Sequence, residues 1–146
     1  MELRVELTTD EGTDLNSISI TAIEDNGDVL GYVEAYGLDE VEQVPILEDE
    51  IIDFGCCELA KELILSHDST IYIKMIKSHR RGVGRALITK IEEIADEYNI
   101  GSICGDLPLE AGGPQYFDSI DKLEPWYMGL GYSVIRTHAC FFKHIE

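Results

Sequence analysis

A short basic segment with two glycines contains the residues whose types and spacing could do chemistry. In SHRRGVGRAL, Arg80, Arg81 and Arg85 surround Gly82 and Gly84. Guanidinium groups form charge-assisted hydrogen bonds to phosphate oxygens, and glycines let the main chain approach an anion closely. The segment therefore indicates a binding site for a compact, highly charged anion.

The charge of the surrounding chain strengthens this interpretation. The 146-residue chain has a formal net charge of −18, yet residues 69–91 contain six Lys or Arg and no Asp or Glu. The acidic flanks would repel a polyanion that extends past the basic segment, so a nucleic-acid duplex is disfavoured as the ligand. We expect a small anionic ligand and no nucleic-acid partner.

The glycine spacing separates this segment from two other phosphate-binding loops. The GxxxxGK[ST] loop of nucleotide triphosphate-binding proteins is absent from the sequence, and Leu87 stands where a dinucleotide-binding fingerprint needs its third glycine. A glycine pair is also found in simple tight turns with solvated arginines. On the segment alone, that structural alternative is as good as anion binding.

A strand, a glycine turn and a helix would have to position this segment. Residues 69–76, STIYIKMI, are rich in β-branched side chains and predict a strand that ends just before the glycines. From Val83 onward apolar residues recur at steps of three and four, which predicts a helix to Tyr98, ended by Asn99 in a left-handed conformation. Such a helix presents its first N–H groups and its positive dipole end to an anion.

The rest of the chain predicts further strands and helices around this unit. Asn26-Gly27 lies between two apolar runs and can take the positive φ angles of a tight hairpin turn. The order of elements predicts one domain over residues 1–146, of the α/β or α+β class, with a mixed sheet. The predicted elements are strands over 2–8, 17–24, 29–36 and 101–107, helices over 49–66 and 119–130, a loop over 110–119, and one long or two short strands over 132–145.

Composition and the lack of certain motifs argue against several classes of protein. No uninterrupted apolar run reaches the length of a membrane span, and the N-terminus lacks a signal-peptide pattern, so we expect a soluble, cytoplasmic protein without a membrane partner. The four cysteines lack CxxC spacing and the four histidines lack metal-ligand spacing, so we expect reduced thiols and no metal. The absence of a GxSxG motif disfavours a covalent acyl-enzyme.

A second stretch, PWYMGLGY at residues 125–132, adds to the basic segment. Together the two resemble the signatures of the GNAT superfamily, the acyl-CoA-dependent N-acyltransferases. In that family a strand leads into Arg or Gln, two variable residues, Gly, one variable residue, and Gly or Ala; here IYIKMI leads into HRRGVG. The family also has a helix ending in Phe-Tyr, two variable residues and Leu-Gly-Phe, which the stretch from Trp126 to Tyr132 resembles. The resemblance covers residues 69–143.

The resemblance implies a fold and a co-substrate. The implied fold is a mixed, mostly antiparallel sheet with a central splayed pair of parallel strands, flanked by helices. The implied co-substrate is acetyl-CoA, whose pantetheine arm and pyrophosphate would contact the end of the strand and the glycine loop. By this resemblance the cofactor-binding residues are Met75, Ile76, His79, Arg80, Arg81, Gly82, Val83, Gly84 and Arg85.

The resemblance also implies a mechanism. A primary amine attacks the thioester carbonyl in the gap between the splayed strands, an oxyanion forms against a backbone N–H, and CoA thiolate leaves. Tyr127 matches the family's general acid, and a phenol with an ordinary pKa of about 10 is protonated at neutral pH. A buried aromatic beside Trp126 is the structural alternative. Asp106 and Glu110, and also Glu34, are candidate bases, although a surface carboxylate is the more common role for each of them.

Three departures from the family pattern bear on these expectations. His79 stands where the motif has Arg or Gln; the segment DSIDKL, residues 118–123, lacks the Asn that often contacts the cofactor; and a hairpin follows the first strand almost directly. A non-catalytic CoA-binding module of the same fold is therefore an alternative, and an acidic interaction protein is a third hypothesis. The acidic surface favours a cationic amine acceptor, and a homodimer is compatible with the resemblance.

Overall fold

The computed structural model describes residues 1–10, 14–39, 69–106, 120–135 and 140–145, together with positions 62 and 66. The N-terminal part is an antiparallel meander of β1 (Glu2–Asp10), β2 (Asp14–Ile23) and β3 (Val29–Leu38). Gly27 has a φ of 91°, and the backbone N–H of Asp28 donates to Oδ1 of Asn26 over 3.0 Å. The predicted hairpin around Asn26-Gly27 is confirmed.

The central unit is a strand, a turn and a helix, as the sequence predicts. Strand β4 (Thr70–Ser78) runs antiparallel to β3, and α1 (Val83–Glu97) follows the glycine turn. Asn99 has a φ of 56°, which is the left-handed conformation predicted for the residue that ends this helix. Strand β5 (Ser102–Asp106) then returns parallel to β4.

The C-terminal part adds α2 (Ile120–Gly129) and two short antiparallel strands, β6 (Ser133–Ile135) and β7 (Cys140–His144). The sheet order is β1-β2-β3-β4-β5-β7-β6, in which β4 and β5 form the parallel pair. This is the mixed, mostly antiparallel sheet with one central parallel pair that the resemblance implies. Of the two alternatives for residues 132–145, the chain forms two short strands.

The core lies between one face of the sheet and helix α1. The apolar stripe of α1 packs on sheet residues whose side chains alternate toward it, and burying each Leu or Ile stabilises the fold by about 1.5–3 kcal/mol. Cys104 of β5 is also fully buried. The helix contributes Val83, Leu87, Ile88, Ile91 and Ile94, and the sheet contributes Ile18, Ile20, Val33, Ala35, Ile71, Ile73, Ile103 and Phe141.

Several predictions fall outside the described residues. Of the helix predicted over 49–66, positions 62 and 66 are described, and both are helical. The loop predicted over 110–119 and the candidate base Glu110 lie outside the described ranges. Within those ranges, no helix is long and apolar enough to span a membrane. In the same part of the chain, no three or more His, Cys, Asp or Glu side chains group as metal ligands.

Candidate active site

The parallel pairing between β4 and β5 stops halfway along β4. The two strands pair through Ile71 with Ile103, Tyr72 with Cys104 and Ile73 with Gly105. Beyond that point β4 continues to Ser78, paired with β3 on one side only among the described strands. The main-chain edge of residues 74–78, which contains Met75 and Ile76, therefore pairs with no described strand on the β5 side, and we call the space beside it the gap.

A β-bulge lies at the start of this unpaired half of β4. The register with β3 shifts between Glu34 and Ala35, which pair with Met75 and Ile73, so Lys74 is the extra residue. A bulge bends its strand and increases the local twist. The bulge residue directly follows Ile73, the last residue of β4 that pairs with β5.

The glycine turn leads β4 into an uncapped helix. Gly82 is the N-cap residue with a φ of 90°, and α1 has no side-chain cap and no acidic residue in its first turn. The N–H of Val83 donates to the carbonyl of Arg80 over 3.2 Å, but the N–H groups of Gly84 and Arg85 have no acceptor among the described residues. Free N–H groups and the positive end of the helix dipole make this turn a site for an anion.

The arginines of the basic segment differ in their contacts. Nη2 of Arg80 lies 2.5 Å from Oε1 of Glu24 in the β2–β3 turn, and both side chains are partly exposed. Arg81 and Arg85 are exposed and form no ion pair with a described residue. His79 is exposed too, and its backbone N–H donates to the carbonyl of Leu30 over 2.7 Å. Two guanidinium groups are thus available to an anion at the helix N-terminus.

Tyr127 is completely buried, and its hydroxyl has no hydrogen-bond partner in the described part of the chain. Its ring stacks on Phe141 with centroids 4.0 Å apart and meets the edges of Trp126 and Tyr132. Burial raises the pKa of Tyr127 far above its ordinary value, so the hydroxyl stays protonated. An unpartnered buried hydroxyl is destabilising by about 1–3 kcal/mol, and such groups in folded proteins usually have an acceptor from the chain, a water molecule or a bound ligand.

Two adjacent residues of α2 connect the uncapped helix with the strand gap. A Cβ atom at Gly84 would lie 3.1 Å from Cζ2 of Trp126, so the indole packs on the first turn of α1. Tyr127 stacks on Phe141, and a Cβ atom at Gly105 would lie only 2.5 Å from Cζ of Phe141. Since Gly105 is the last residue of β5 that pairs with β4, Tyr127 stands near the point where the strands separate.

The candidate bases occupy different places. Asp106 is the last residue of β5 and pairs with Cys140 of β7. Glu34 is exposed on β3, opposite Met75. The structure brings Tyr127 and the glycine turn together through α2, whereas Glu34 lies on the other side of β4 from the gap. A base role for Asp106, Glu110 or Glu34 stays a prediction.

The sequence analysis did not identify three residues that shape this site. Phe141 carries the ring under Tyr127, Gly105 makes room for that ring, and Glu24 pairs with Arg80. The aromatic run CFF in a predicted strand was a signal for Phe141, because one of two successive side chains in a strand must face the core. Nothing local in the sequence pairs Glu24 with Arg80, since 56 positions separate them.

No family model and no curated protein matches this sequence. Solved structures of acetyltransferases do match the fold. Nourseothricin acetyltransferase has a TM-score of 0.55 at 13% identity, covering 99% of this chain and 85% of that chain. The apo form of a mutant agmatine N-acetyltransferase has a TM-score of 0.54 at 11% identity, covering 86% and 73%.

A third similar structure is that of a mutant of the toxin AtaT, bound to the C-terminus of the antitoxin AtaR and to acetyl-CoA. Its TM-score is 0.52 at 11% identity, with 99% of this chain and 94% of that chain covered. At such low sequence identities, the structural similarity shows the fold but does not identify a substrate. The chain has the fold of the GNAT acetyltransferases.

Proposed function

We propose that this protein is an N-acetyltransferase that moves an acetyl group from acetyl-CoA to a primary amine. The observation that carries the proposal is the buried hydroxyl of Tyr127, which has no hydrogen-bond partner among the described residues. Its ring stacks on Phe141, and Phe141 lies against Gly105 at the end of the β4–β5 pairing. A thioester sulfur in the gap would supply an acceptor for this hydroxyl. The likeness of the fold to several acetyltransferases supports the same conclusion.

The residues present fit acetyl-CoA. The N–H groups of the first turn of α1 can donate to the pyrophosphate, and Arg81 and Arg85 can add charge-assisted hydrogen bonds. The unpaired edge of β4 at Met75 and Ile76 offers main-chain groups to the amides of the pantetheine arm. When bound, acetyl-CoA supplies an activated acetyl group. The toxin AtaT, which has a similar fold, is described with acetyl-CoA bound.

Acetyl transfer to an amine requires two proton transfers, each involving a residue of this chain or a solvent molecule. The amine nitrogen forms a bond to the carbonyl carbon and loses one proton, while the carbon–sulfur bond breaks and the sulfur gains one. We assign the second movement to Tyr127, whose hydroxyl is buried and whose raised pKa keeps it protonated. The desolvation that disfavours its phenolate also disfavours a thiolate beside it, so the proton affinities of both groups rise together. Asp106 and Glu110 are our candidates for the first movement.

The fluorescence of Trp126 can test the proposal, because Trp126 is the only tryptophan of the chain and packs on the first turn of α1. Its fluorescence, titrated with acetyl-CoA, CoA and ATP, reports occupancy of that turn. Release of thiol from acetyl-CoA is then measured with a panel of amines. We expect saturable binding of both CoA species but not of ATP, and turnover with at least one amine.

The outcomes separate the alternatives. Binding of CoA without turnover of any amine would favour a non-catalytic CoA-binding module of the same fold. The absence of any CoA binding would overturn the proposal, and it would mean that the loop at His79 and Gly82 holds a different anion or none.

A further inference from the structure

Strand β3 presents a carboxylate between two tyrosines on the face of the sheet opposite α1. We propose that Tyr32, Glu34 and Tyr36 bind the ammonium group of a diamine acceptor, whose second amine is acetylated in the gap. The proposal rests on the acetyl transfer proposed above and names the acceptor class of that same site. Neither the glycine turn nor Tyr127 contributes to this subsite.

The register fixes the position of these side chains. Val33 and Ala35 are buried under α1, so the alternating residues Tyr32, Glu34 and Tyr36 face the other side of the sheet. Glu34 pairs with Met75, which belongs to the half of β4 that faces the gap. Because β4 lies between Glu34 and the gap, the backbone of Glu34 is about two strand spacings, roughly 10 Å, from the middle of the gap. The Glu34 side chain and a four-carbon alkyl chain together span that distance.

The chemistry of the three side chains suits an ammonium. Glu34 is exposed, and it has no hydrogen bond or ion pair with any described residue. Tyr32 and Tyr36 are half-buried on either side of it, and their ring faces attract cations. The hydroxyl of Tyr32 donates to Sδ of Met75 over 3.2 Å, which ties this ring to β4 beside the gap.

The ammonium group of Lys74 already lies near the Tyr36 ring of this surface. Nζ of Lys74, the bulge residue, lies 6.0 Å from the centroid of the Tyr36 ring. That distance is at the limit of a cation–π contact. The lysine shows that a cation can approach the array, and a diamine would compete with it for the same ring. Lys74 is thus expected to weaken diamine binding.

In this proposal one face of the sheet binds the amine acceptor and the other face carries the proton donor. Tyr127 stacks on Phe141, whose ring covers Gly105 on the face that α1 packs against. Glu34 lies on the opposite face. The acceptor would reach the thioester carbonyl from one side of the sheet while the departing sulfur faces the Tyr127 hydroxyl on the other. A second positive charge on the acceptor would anchor it at Glu34 and leave the reacting amine free of that carboxylate.

The chain offers a matched control for Glu34. Glu6 of β1 and Glu34 of β3 both pair with Ser19 of β2, so the two carboxylates share one row and one face of the sheet. Both are exposed, but Glu6 lies two strands further from the gap. The variants Glu34→Gln and Glu6→Gln remove the same charge, and only the first removes it from the proposed subsite.

The experiment compares putrescine with butylamine, a monoamine of the same carbon length. For the unmodified protein we expect kcat/KM with putrescine to exceed that with butylamine by about fivefold, the upper range for an ion pair with an exposed carboxylate. Glu34→Gln should lower kcat/KM with putrescine to the value for butylamine, whereas an equal loss with both amines would assign Glu34 to the reaction itself and overturn the subsite. Glu6→Gln should keep the preference, and Lys74→Gln should increase it.

A binding measurement without turnover distinguishes this proposal from the proposed function. Calorimetric titration of both amines into the protein with CoA present should give the same preference and the same response to the variants. Selective putrescine binding that Glu34→Gln abolishes would support the subsite even if no amine were acetylated. Equal effects of the Glu34 and Glu6 variants, or equal binding of both amines, would overturn it.

Discussion

The indole of Trp126 lies against the main chain of Gly84, where a Cβ atom would come within 3.1 Å of Cζ2. This contact packs α2 on the first turn of α1, and the next residue of α2, Tyr127, stacks on Phe141, which lies against Gly105. A glycine that appears in the sequence to serve anion binding alone is also a packing residue. The proposed phosphate site and the proposed acid are consequently part of one packed unit.

Replacing Gly84 with Ala should disturb both parts of this unit. The new methyl group must displace the indole, and overpacking of this kind costs about 1–3 kcal/mol. We expect a lower Tm, altered Trp126 fluorescence and weaker CoA binding. Gly82→Ala is the control, since nothing lies within 4 Å of its Cβ position but its φ is +90°. It should cost about 1–2 kcal/mol from the backbone and leave the tryptophan spectrum unchanged. Identical spectra for the two variants would contradict the packing role.

Tyr127→Phe should separate activity from stability. The phenyl ring keeps the stack on Phe141, and loss of the unpartnered hydroxyl should raise the free energy of unfolding by about 1–3 kcal/mol. The same change should lower kcat by about 10²–10⁴-fold, the usual contribution of a positioned acid, with unchanged CoA affinity. Chemical denaturation and steady-state kinetics test the two effects. A less stable variant would show that the hydroxyl has an acceptor in the free protein.

Stability should fall in alkaline solution. Burial raises the pKa of Tyr127, and burial together with the nearby Glu92 carboxylate raises the pKa of Tyr132. The folded protein therefore keeps two protons that the unfolded chain loses near its ordinary tyrosine pKa of about 10. The unfolded state then binds fewer protons, so the free energy of unfolding decreases above about pH 10. Urea midpoints between pH 8 and 11 measure this decrease, which should be smaller in Tyr127→Phe. Equal slopes for both proteins would contradict it.

Glu24→Gln should strengthen CoA binding. The carboxylate holds Arg80 at 2.5 Å, and its removal leaves a third guanidinium for the anion at the turn. We expect a several-fold lower Kd and a steeper salt dependence, while the loss of a partly exposed ion pair changes stability by about 0–1 kcal/mol. Glu93→Gln, which breaks the Lys90–Glu93 pair on α1, is the control and should leave Kd unchanged. Weaker binding in the Glu24 variant would mean that Glu24 positions Arg80 for the ligand.

Local patterns predicted the central unit well. The alternation in β4, the apolar spacing of α1 and the left-handed Asn99 are determined by residues close in sequence, and the structure agrees with each. The order of β5 and β7 and the stacking of Tyr127 on Phe141 depend on residues far apart in sequence. Burial raises the pKa of Tyr127, and because that burial comes from residues far apart in sequence, local patterns could not predict the shift. Glu110 lies outside the described residues and keeps its predicted role untested.

The three pairs between β4 and β5 form the seam between two antiparallel halves of the sheet, β1 to β4 and β5 to β7. Few residue pairs hold the two halves together at this seam, so the sheet opens most easily there. Helix α1 packs on strands from both halves and stabilises the seam. A ligand bound in the gap would connect β4 to β5 beyond the three residue pairs, where the two strands do not pair. Amide hydrogen exchange in β4 and β5 should therefore slow when CoA binds, and slow least in β1, which is furthest from the seam on its own side.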